Sequence, residues 1–405
     1  MSSPKRPTAR SPKRPRMRSR EAGANRRVSS LACVVLFMLP SSMCLTAPAP
    51  AAADADAPTV HTGLCDASAV VALDANTFLV AEDEMNVINV YRTDRPGPPL
   101  KSLPWSRHLA VAADDEHPEV DIEGAALLGG RVYWIGSHGR NKDGKWRPNR
   151  HRLFATDVAI NDEEVTVKPF GRPYEKLATA LAADSRLRAL GLHKALGRPG
   201  KSDKDLVPTK EGLNIEGLSA MADGGGLLIG FRNPLPGGRA LLVPLKNPAA
   251  VVSRGAAPVF CGPIRLRLRG RRDGRTIPFG IRGIEYSPRH EAYLIVAGPG
   301  GKGKLFAIYK WSGHSDEEPV LQRDASAAVA RLRRFTAESL VVYPHTGRVQ
   351  IFSDDGTLKV KVASPAECAE GAYDNGVCQA KHLLDNRKKT FRGVFVTLDA
   401  PNGKP

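Results

Sequence analysis

The sequence predicts an all-β fold, and three observations support that prediction. Gly and Pro are abundant, at 38 and 32 of the 405 residues, which provides many turn positions. Hydrophobic residues make up 42% of the chain, enough for a full core, so global disorder is excluded. One strand–turn–strand pattern also recurs five times along the sequence. Such repetition is typical of a β-propeller, in which neighbouring units cover each other's faces.

The first 53 residues have the features of a secretory signal peptide. Residues 1–27 are basic, an apolar run follows at 31–39, and Ala51-Ala52-Ala53 precedes Asp54. The apolar run is far shorter than the roughly 20 residues of a membrane span, and no later segment approaches that length. We therefore expect an exported protein, periplasmic or extracellular, with no integral membrane segment after leader removal. Residues 54–64 are expected to form a linker.

Charge counts argue against a nucleic-acid partner. The formal net charge is +17, but the leader contains ten Lys and Arg and a single acid, Glu21, so more than half of the excess belongs to it. The densest basic segment of the remaining chain, residues 265–275, alternates arginine with leucine and has no interleaved aromatic residues. We expect it to be a solvated outer strand whose charges discourage edge pairing.

The five repeated units define one domain, residues 65–399, followed by a tail at 400–405. The units begin at Asp66, Asp121, Asn214, Ile281 and Thr336. The widest spacing contains a stretch of helical periodicity around 174–197, which we interpret as an insertion. Five blades are the preferred count. Six remain an option if the tail residues form another blade, and a chain of two-sheet sandwiches is the alternative fold.

Propeller topology predicts that polar residues from distant parts of the chain gather at one mouth of the central channel. The first strand of each blade starts at that face, and the second strand returns to it. The equivalent first-strand positions are Ser68, Glu123, Glu216, Arg282 and Glu338. The second-strand ends contribute Glu82, Asp83, Ser137, His138, Arg232, Asn233, Asp354 and Asp355, with Arg140 and Asn141 just beyond.

These residue types suggest a site for a cation and an anion together. Oxygen ligands suit a hard divalent ion such as Ca²⁺, and guanidinium groups suit phosphate or carboxylate. The predicted metal ligands are Glu123, Glu216, Glu338 and Asp354; the predicted contacts of a small anionic ligand are Ser137, Arg140, Arg232, Asn233 and Arg282. With His138 as a proton carrier, a metal-activated water would make the mouth a metal-dependent hydrolase site. The alternative is that the glutamates and arginines only neutralise each other in a buried network.

Four cysteines remain after the leader: Cys65, Cys261, Cys368 and Cys378. An even count in an exported protein suggests disulfide bonds. Cys368 and Cys378 flank a turn-rich stretch, so we expect them to pair, which leaves Cys65 and Cys261 as the remainder. The alternative is a zinc site that uses the same cysteine pair with His382, although that spacing is loose for zinc.

Several segments resemble a bacterial family known only as a domain of unknown function, number three-six-one-six. They include CDASAVVAL, DIEGAALLGGRVYWIGSHGRN, NIEGLSA, LLIGFRNPLPGGRALLVPL and FRGVFVTL, and the resemblance runs from about Cys65 to Leu398. It implies no established activity and no catalytic residue. Residues 267–281 depart from the family because they are longer and more basic than its Gly-rich turn.

The Glu-Gly-small motif and the topology also resemble propeller hydrolases that hold calcium at the channel mouth, such as phytase-like, apyrase-like and lactonase-like enzymes. That likeness implies hydrolysis of a phosphoester, ester or lactone. A non-catalytic binding or scaffold module of the cell envelope is the alternative function.

Overall fold

The computed structural model describes residues 57–399 except residues 83, 113, 162 and 163. The predicted leader 1–53 and tail 400–405 lie outside these residues, as does Asp83. The described chain is mostly β, which confirms the predicted fold class at this level. Its strands are β1 (Thr59–Thr62), β2 (Ala69–Ala72), β3 (Thr77–Ala81), β4 (Val87–Arg92), β5 (Lys101–Pro104), β6 (Ile122–Leu128), β7 (Arg131–Gly136), β8 (Leu153–Asn161), β9 (Glu164–Tyr174), β10 (Asn214–Ala220), β11 (Leu227–Asn233), β12 (Ala240–Leu245), β13 (Ile264–Leu266), β14 (Arg269–Arg272), β15 (Arg275–Ser287), β16 (Ala292–Pro299), β17 (Ala307–Trp311), β18 (Val320–Gln322), β19 (Ala337–Val342), β20 (Val349–Ser353), β21 (Lys359–Lys361), β22 (Val377–Gln379) and β23 (Thr390–Val396).

Five antiparallel sheets follow one another along the chain. They are sheet I (β2-β3-β4-β5), sheet II (β6-β7-β8-β9), sheet III (β10-β11-β12-β13), sheet IV (β14-β15-β16-β17-β18) and sheet V (β19-β20-β23-β1). The strands β2, β6, β10, β15 and β19 contact one another in that order, and β19 contacts β2 in turn. They therefore form a closed ring around a common axis, which is a propeller-like arrangement.

Glycine allows the inner strands to approach each other closely. A Cβ on Gly124 would lie 3.0 Å from the Leu218 Cβ of the next sheet, and one on Gly217 would lie 2.8 Å from the Ile281 side chain of the sheet after that. Both distances are shorter than ordinary carbon contacts, so a larger residue would push the sheets apart. The small residues near each repeat start are thus required by the packing around the axis.

The core lies between adjacent sheets. Ile135 and Leu153 of sheet II, for example, pack in one cluster with Ile229 and Leu241 of sheet III, and all four are fully buried. Each sheet is covered by its neighbours on both faces, which explains why central strands such as β12 are apolar throughout instead of alternating.

The predicted linker contains a strand. Thr59–Thr62 pairs with Thr390–Gly393 of β23 and forms the outer strand of sheet V. The linker interpretation of residues 54–64 is therefore wrong for these four residues. The reason is that β23 would otherwise be an unpaired edge, and an N-terminal segment satisfies its backbone groups.

Three short helices lie between β9 and β10: α1 (Leu177–Ala183), α2 (Ser185–Ala189) and α3 (Leu192–Leu196). Asp184 caps α2, because its side chain accepts hydrogen bonds from the Arg186 and Leu187 backbone N–H groups. Leu177 and Leu187 are buried against sheets II and III. Two further helices, α4 (Pro248–Arg254) and α5 (Arg323–Arg331), connect strands elsewhere. Among the described residues, no helix has the length and apolar character needed to cross a membrane.

Residues 356–389 form an insertion between β20 and β23, which includes the small β21–β22 sheet. Cys368 and Cys378 are both buried there, in one apolar cluster with Leu383. Both are free thiols in the structure, and burial together with a hydrogen bond to Cys368 raises the pKa of Cys378 to about 11. The two thiols contact each other, and the disulfide bond between Cys368 and Cys378 stays a prediction.

The remaining two cysteines are not brought together. The carbonyl of Cys65 accepts the Asp355 N–H group beside sheet V, whereas the Cys261 N–H group donates to Pro244 at the outer side of sheet III. Pairing of Cys65 with Cys261, which was inferred only by elimination, is therefore wrong.

Candidate functional site

The inner strands bring four charged residues together at one end of the channel. Glu123, Glu216 and Glu338 each offer one carboxylate oxygen, and these three oxygens lie within 4.8 Å of one another. Arg282 reaches into the same cluster, where its Nη1 lies 3.0 Å from Glu216 Oε2 and its Nη2 contacts Glu338 Oε2. With Ser68, which lines the channel beside Glu123, these residues form what we call the mouth ring.

Each charged member of the mouth ring lies at a β-bulge. The pairing register shifts between Ile122 and Gly124, between Ile215 and Gly217, between Ile281 and Gly283, and between Ala337 and Ser339. The residue skipped in each case is the ring residue. A bulge inserts one unpaired residue and redirects its side chain, so the four inner strands use the same device to aim a charged group at the axis.

The Glu216 carboxylate is held by two side-chain donors. Its Oε1 accepts hydrogen bonds from Asn214 Nδ2 at 2.7 Å and from Arg232 Nη1 at 2.9 Å. Arg232 in turn donates to the backbone carbonyls of Pro299 and Gly301 on the neighbouring loop. These bonds fix the Glu216 carboxylate in the channel while its second oxygen faces Arg282.

Burial and close charges shift the pKa values of residues in the mouth ring. Burial raises the pKa of Glu338 to about 8, and the Arg282 guanidinium only partly opposes that rise, while Glu216 and Asp354 add to it. Burial alone would lower the pKa of Arg282, but the carboxylates of Glu216, Glu338 and Glu123 raise it overall. The mouth ring thus has three carboxylates, and the positive charges next to them are those of Arg282 and Arg232.

The channel beneath the ring is narrow. It is lined by Ser68, Glu123 and Glu216 together with small and aliphatic residues of the inner strands, and the space open to a water molecule is about 10 Å³. A volume of that size suits one water molecule or one ion. A larger organic ligand would have to remain at the mouth, outside the channel.

The strand-end residues, which we define as Ser137, His138, Arg140 and Asn233, are used differently from the prediction. Arg140 donates to the backbone carbonyls of Leu196, Arg198 and Lys201, at the end of α3 and just beyond it. Its guanidinium is therefore committed to anchoring the helical segment. Both Nη groups of Arg140 bond to backbone oxygens, while its Nε has no partner among the described residues, so the predicted role of Arg140 as an anion contact stays a prediction.

His138 is buried and held in place by its own chain. Its Nδ1 lies 2.8 Å from the Gly136 carbonyl, its Nε2 has no hydrogen-bond partner among the described residues, and its backbone φ is 55°. Burial lowers its pKa to about 4, so it is neutral near pH 7. A proton carrier needs contact with the reacting groups, and the side chain is only 1% exposed. The predicted shuttle role of His138 therefore has no geometric basis.

Ser137 and Asn233 also serve the local backbone. Ser137 Oγ accepts the Gly139 N–H group, and the Asn233 amide donates to the carbonyls of Pro208 and Gly300 at 2.7 Å. Both side chains are buried, so the structure does not present them to a ligand at the mouth.

The acidic residues at the end of β20 differ from each other. Asp355 is paired with Arg392 through two hydrogen bonds of 2.7 Å and stabilises sheet V. Asp354 accepts the Gly356 N–H group and lies close enough to Glu338 to raise its pKa. Asp354 is thus a neighbour of the ring, although it is not part of the three-carboxylate cluster.

Sequence reasoning placed two further buried acids, Asp121 and Glu82, at strand ends without assigning either a role. Asp121 pairs with Arg150 at 2.8 Å, and its pKa is raised mainly by burial, with Glu216 among the charges that contribute. Glu82 is 2% exposed and appeared in the sequence only as one polar strand end among several. Their burial has no sequence signal, since each follows or precedes a strand where exposed acids are common.

Comparisons with known proteins add family membership. A family model described as "Protein of unknown function (DUF3616)" matches residues 66–337, more than half of the chain. A search of curated proteins finds no match.

Several solved structures resemble the chain loosely. Glutaminyl cyclase of Myxococcus xanthus is 12% identical and covers 73% of this chain and 88% of its own, with a TM-score of 0.36. A putative oxidoreductase (glucose dehydrogenase) of Thermus thermophilus is 13% identical over 84% of this chain and 100% of its own, also with a TM-score of 0.36. A protein of unknown function from Bacteroides thetaiotaomicron is 10% identical over 84% and 76%, with a TM-score of 0.37. At such scores these neighbours do not indicate a shared site.

Proposed function

Because the chain belongs to the family of proteins of unknown function (DUF3616), whose description names no activity, we propose a function from the mouth ring itself. We propose that the protein is a cation-dependent binding module. A hard divalent cation such as Ca²⁺ is held by Glu123, Glu216 and Glu338, and the cation then recruits a small anionic ligand to the mouth. The supporting observation is the approach of three carboxylate oxygens to within 4.8 Å of one another.

The net charge of the mouth ring explains why the cation would bind before the anion. Three carboxylates face two guanidinium groups, those of Arg282 and Arg232, so the fully ionised ring favours a cation over an anion. The raised pKa of Glu338 means that, without a cation, a proton satisfies part of this excess. A divalent ion would replace the proton and reverse the sign of the local charge. An anion could then bind where the empty ring would repel it.

The fold supplies the setting for this site. We propose that sheets I to V are five blades, with the helices α1 to α3 as an insertion between the second and third. The signal-peptide pattern of the leader supports action outside the cytoplasm, in the periplasm or beyond the cell.

Hydrolysis of the ligand has little support in the described geometry. The strand-end residues bond to backbone groups, and no described histidine faces the ring. The alternative function, a binding or scaffold module of the cell envelope, differs from the proposal because it would not depend on the cation.

The test is cation binding by Glu216→Gln. Glutamine keeps an oxygen to accept from Asn214 and Arg232, so the local bonds are retained while a charge is removed. We expect Ca²⁺ to stabilise the wild type against thermal unfolding, by about 2.7 kcal/mol at one hundred times Kd, and to leave Glu216→Gln unaffected. Glu318→Gln, which changes a half-exposed acid paired with Arg239, is the control and should respond like the wild type.

A second arm addresses the anion. Inorganic phosphate and acetate are titrated calorimetrically with Ca²⁺ and with chelator, and heat of binding should appear only with Ca²⁺. Equal stability of the wild type with and without Ca²⁺ would refute the cation, and anion binding in chelator would refute its recruiting role.

A further inference from the structure

A cavity with a basic rim lies at the end of α5, beside the loop that precedes β17. It has about 420 Å³ open to water, which is comparable to the sites of small organic ligands and more than an inorganic ion needs. Its rim carries four cations: Lys304, Arg331, Arg333 and Arg334. Among the described residues, no acid lines the cavity. We call this cavity the basic pocket.

The four cations of the basic pocket are not neutralised by neighbouring side chains. All four are exposed, and none of them forms an ion pair or a side-chain hydrogen bond within the part of the chain that the structure describes. Other exposed arginines behave differently, since Arg186 and Arg387 each pair with an aspartate two residues earlier. Like charges that gather without an acid repel each other, so an anion would relieve the repulsion at the basic pocket.

The floor of the basic pocket is apolar. Val329 and Phe335 line it and are buried, whereas Leu305, Phe306 and Leu332 line it and are only half-buried. Three apolar side chains therefore keep part of their surface open next to the cluster of positive charge. Such a combination suits a ligand that has both an apolar body and an anionic group. The Phe306 ring also provides an aromatic partner for a planar body.

Arg392 fixes the turn that carries two of the rim cations. Its Nη1 donates to the Arg333 carbonyl at 3.1 Å, and its Nη2 donates to the Arg334 carbonyl at 2.9 Å. The same guanidinium pairs with Asp355 and lies over the Phe335 ring, at 5.4 Å from its centre. The backbone of the rim is therefore ordered before a ligand arrives, which lowers the entropic cost of binding.

From these observations we propose that the basic pocket binds an aromatic phosphate, a planar ring that carries a phosphate or phosphonate group. The guanidinium groups form paired hydrogen bonds to the phosphate oxygens, and the floor contacts the ring. A doubly charged group matches four cations better than a carboxylate does. No residue of the mouth ring lines the basic pocket, although Phe306 lies 5.9 Å from the guanidinium carbon of Arg282. The proposal goes beyond the cation-dependent function and needs no metal ion.

The test is calorimetric titration of phenylphosphonate into the full chain in the presence of chelator. Arg331→Gln/Arg333→Gln removes two rim charges, and Arg289→Gln/Arg323→Gln removes two exposed charges outside the basic pocket as the matched control. We expect the first double variant to lower phenylphosphonate affinity at least about tenfold and the control to keep the wild-type affinity. Lys304→Gln provides a second variant, with a smaller loss. Circular dichroism confirms that each variant is folded.

Two smaller compounds separate the parts of the ligand. Methylphosphonate lacks the ring and benzoate carries a single charge, so each should bind at least about tenfold more weakly than phenylphosphonate. Equal affinity for either compound would overturn the assigned ligand class. The site itself would be refuted by a wild type that binds no phenylphosphonate at millimolar concentration, or by unchanged affinity in Arg331→Gln/Arg333→Gln.

Glu216→Gln distinguishes the basic pocket from the mouth ring. In chelator it should bind phenylphosphonate with the wild-type affinity, because Glu216 does not line the basic pocket. A loss of affinity in Glu216→Gln would place the compound at the mouth ring and refute the basic pocket. The response of the wild type to Ca²⁺ tests the proposed function separately, so either proposal can fail without the other.

Discussion

The mouth ring and the strand-end residues are both polar and buried, but their hydrogen bonds go to different partners. In the ring, Arg282 bonds to the carboxylates of two other strands, Glu216 and Glu338. Among the strand-end residues, Arg140 bonds to three carbonyls of the helical segment, and Asn233 bonds to two carbonyls of adjacent loops. Side-chain charges can exchange one partner for a ligand, whereas a group bonded to the backbone is part of the fold. Binding is therefore expected at the ring.

We expect the largest loss of stability when the guanidinium of Arg282 is removed from the mouth ring. Arg282→Gln leaves Glu216 and Glu338 facing each other without the guanidinium, and we expect a loss of about 3–5 kcal/mol in the free energy of unfolding. Because the remaining carboxylates form a stronger cation site, Ca²⁺ should restore part of that stability. Urea denaturation with Ca²⁺ and with chelator measures both effects.

The control for this change is Arg239→Gln, which breaks an exposed pair with Glu318 and should cost less than about 1 kcal/mol. A loss in Arg282→Gln as small as that of the control would mean that the ring charges are not coupled.

At the strand-end residues we expect a smaller loss of stability and no change in Ca²⁺ affinity. Arg140→Ala removes the donors that hold Leu196, Arg198 and Lys201, and we expect a loss of about 2–4 kcal/mol. Ca²⁺ affinity of the folded variant should remain that of the wild type. Arg188→Ala, at an exposed position of α2, is the control. Reduced Ca²⁺ affinity with unchanged stability would place Arg140 in the binding site after all.

The smallest effect concerns a partly buried acid outside the ring. Glu285 accepts the Val342 N–H group at 2.7 Å, and burial raises its pKa to about 8. Between its ordinary value of 4.5 and about 8, the unfolded chain loses this proton while the folded chain keeps it, so stability falls as pH rises through that window.

Glu285→Gln removes this dependence. We expect its free energy of unfolding to match that of the wild type near pH 5 and to exceed it near pH 8. Denaturation curves at both pH values test the sign, and a variant whose advantage is larger at pH 5 would contradict it.

The sequence predicted which ring residues meet, because the five repeat units align and the topology places equivalent positions at one end. It did not predict the bulges at Glu123, Glu216, Arg282 and Glu338, although the glycine after three of them was a signal. It could not predict the destinations of Arg140 and His138. The bonds of Arg140 depend on where the helical insertion packs, and those of His138 on a left-handed turn after its own strand, and no repeat alignment contains that information.

A small cavity of about 60 Å³, lined by Glu82 and by residues of three distant segments, shows a different limit of sequence reasoning. Its walls come from the start of the domain, from the end of β20 and from the insertion. Only the closure of the first sheet against the last brings these segments together. A single charged residue at a strand end gives no indication of whether another segment will cover it.

Strand β1 has a consequence for the order of assembly. Its partner, β23, ends at Val396, so the two strands that complete sheet V are separated by almost the whole domain. During synthesis, Thr59–Thr62 emerges early and has no template until the final strand is made. Sheet V can thus be completed only after translation of the domain is nearly finished, and a cut after Thr62 would leave an open edge on this last sheet.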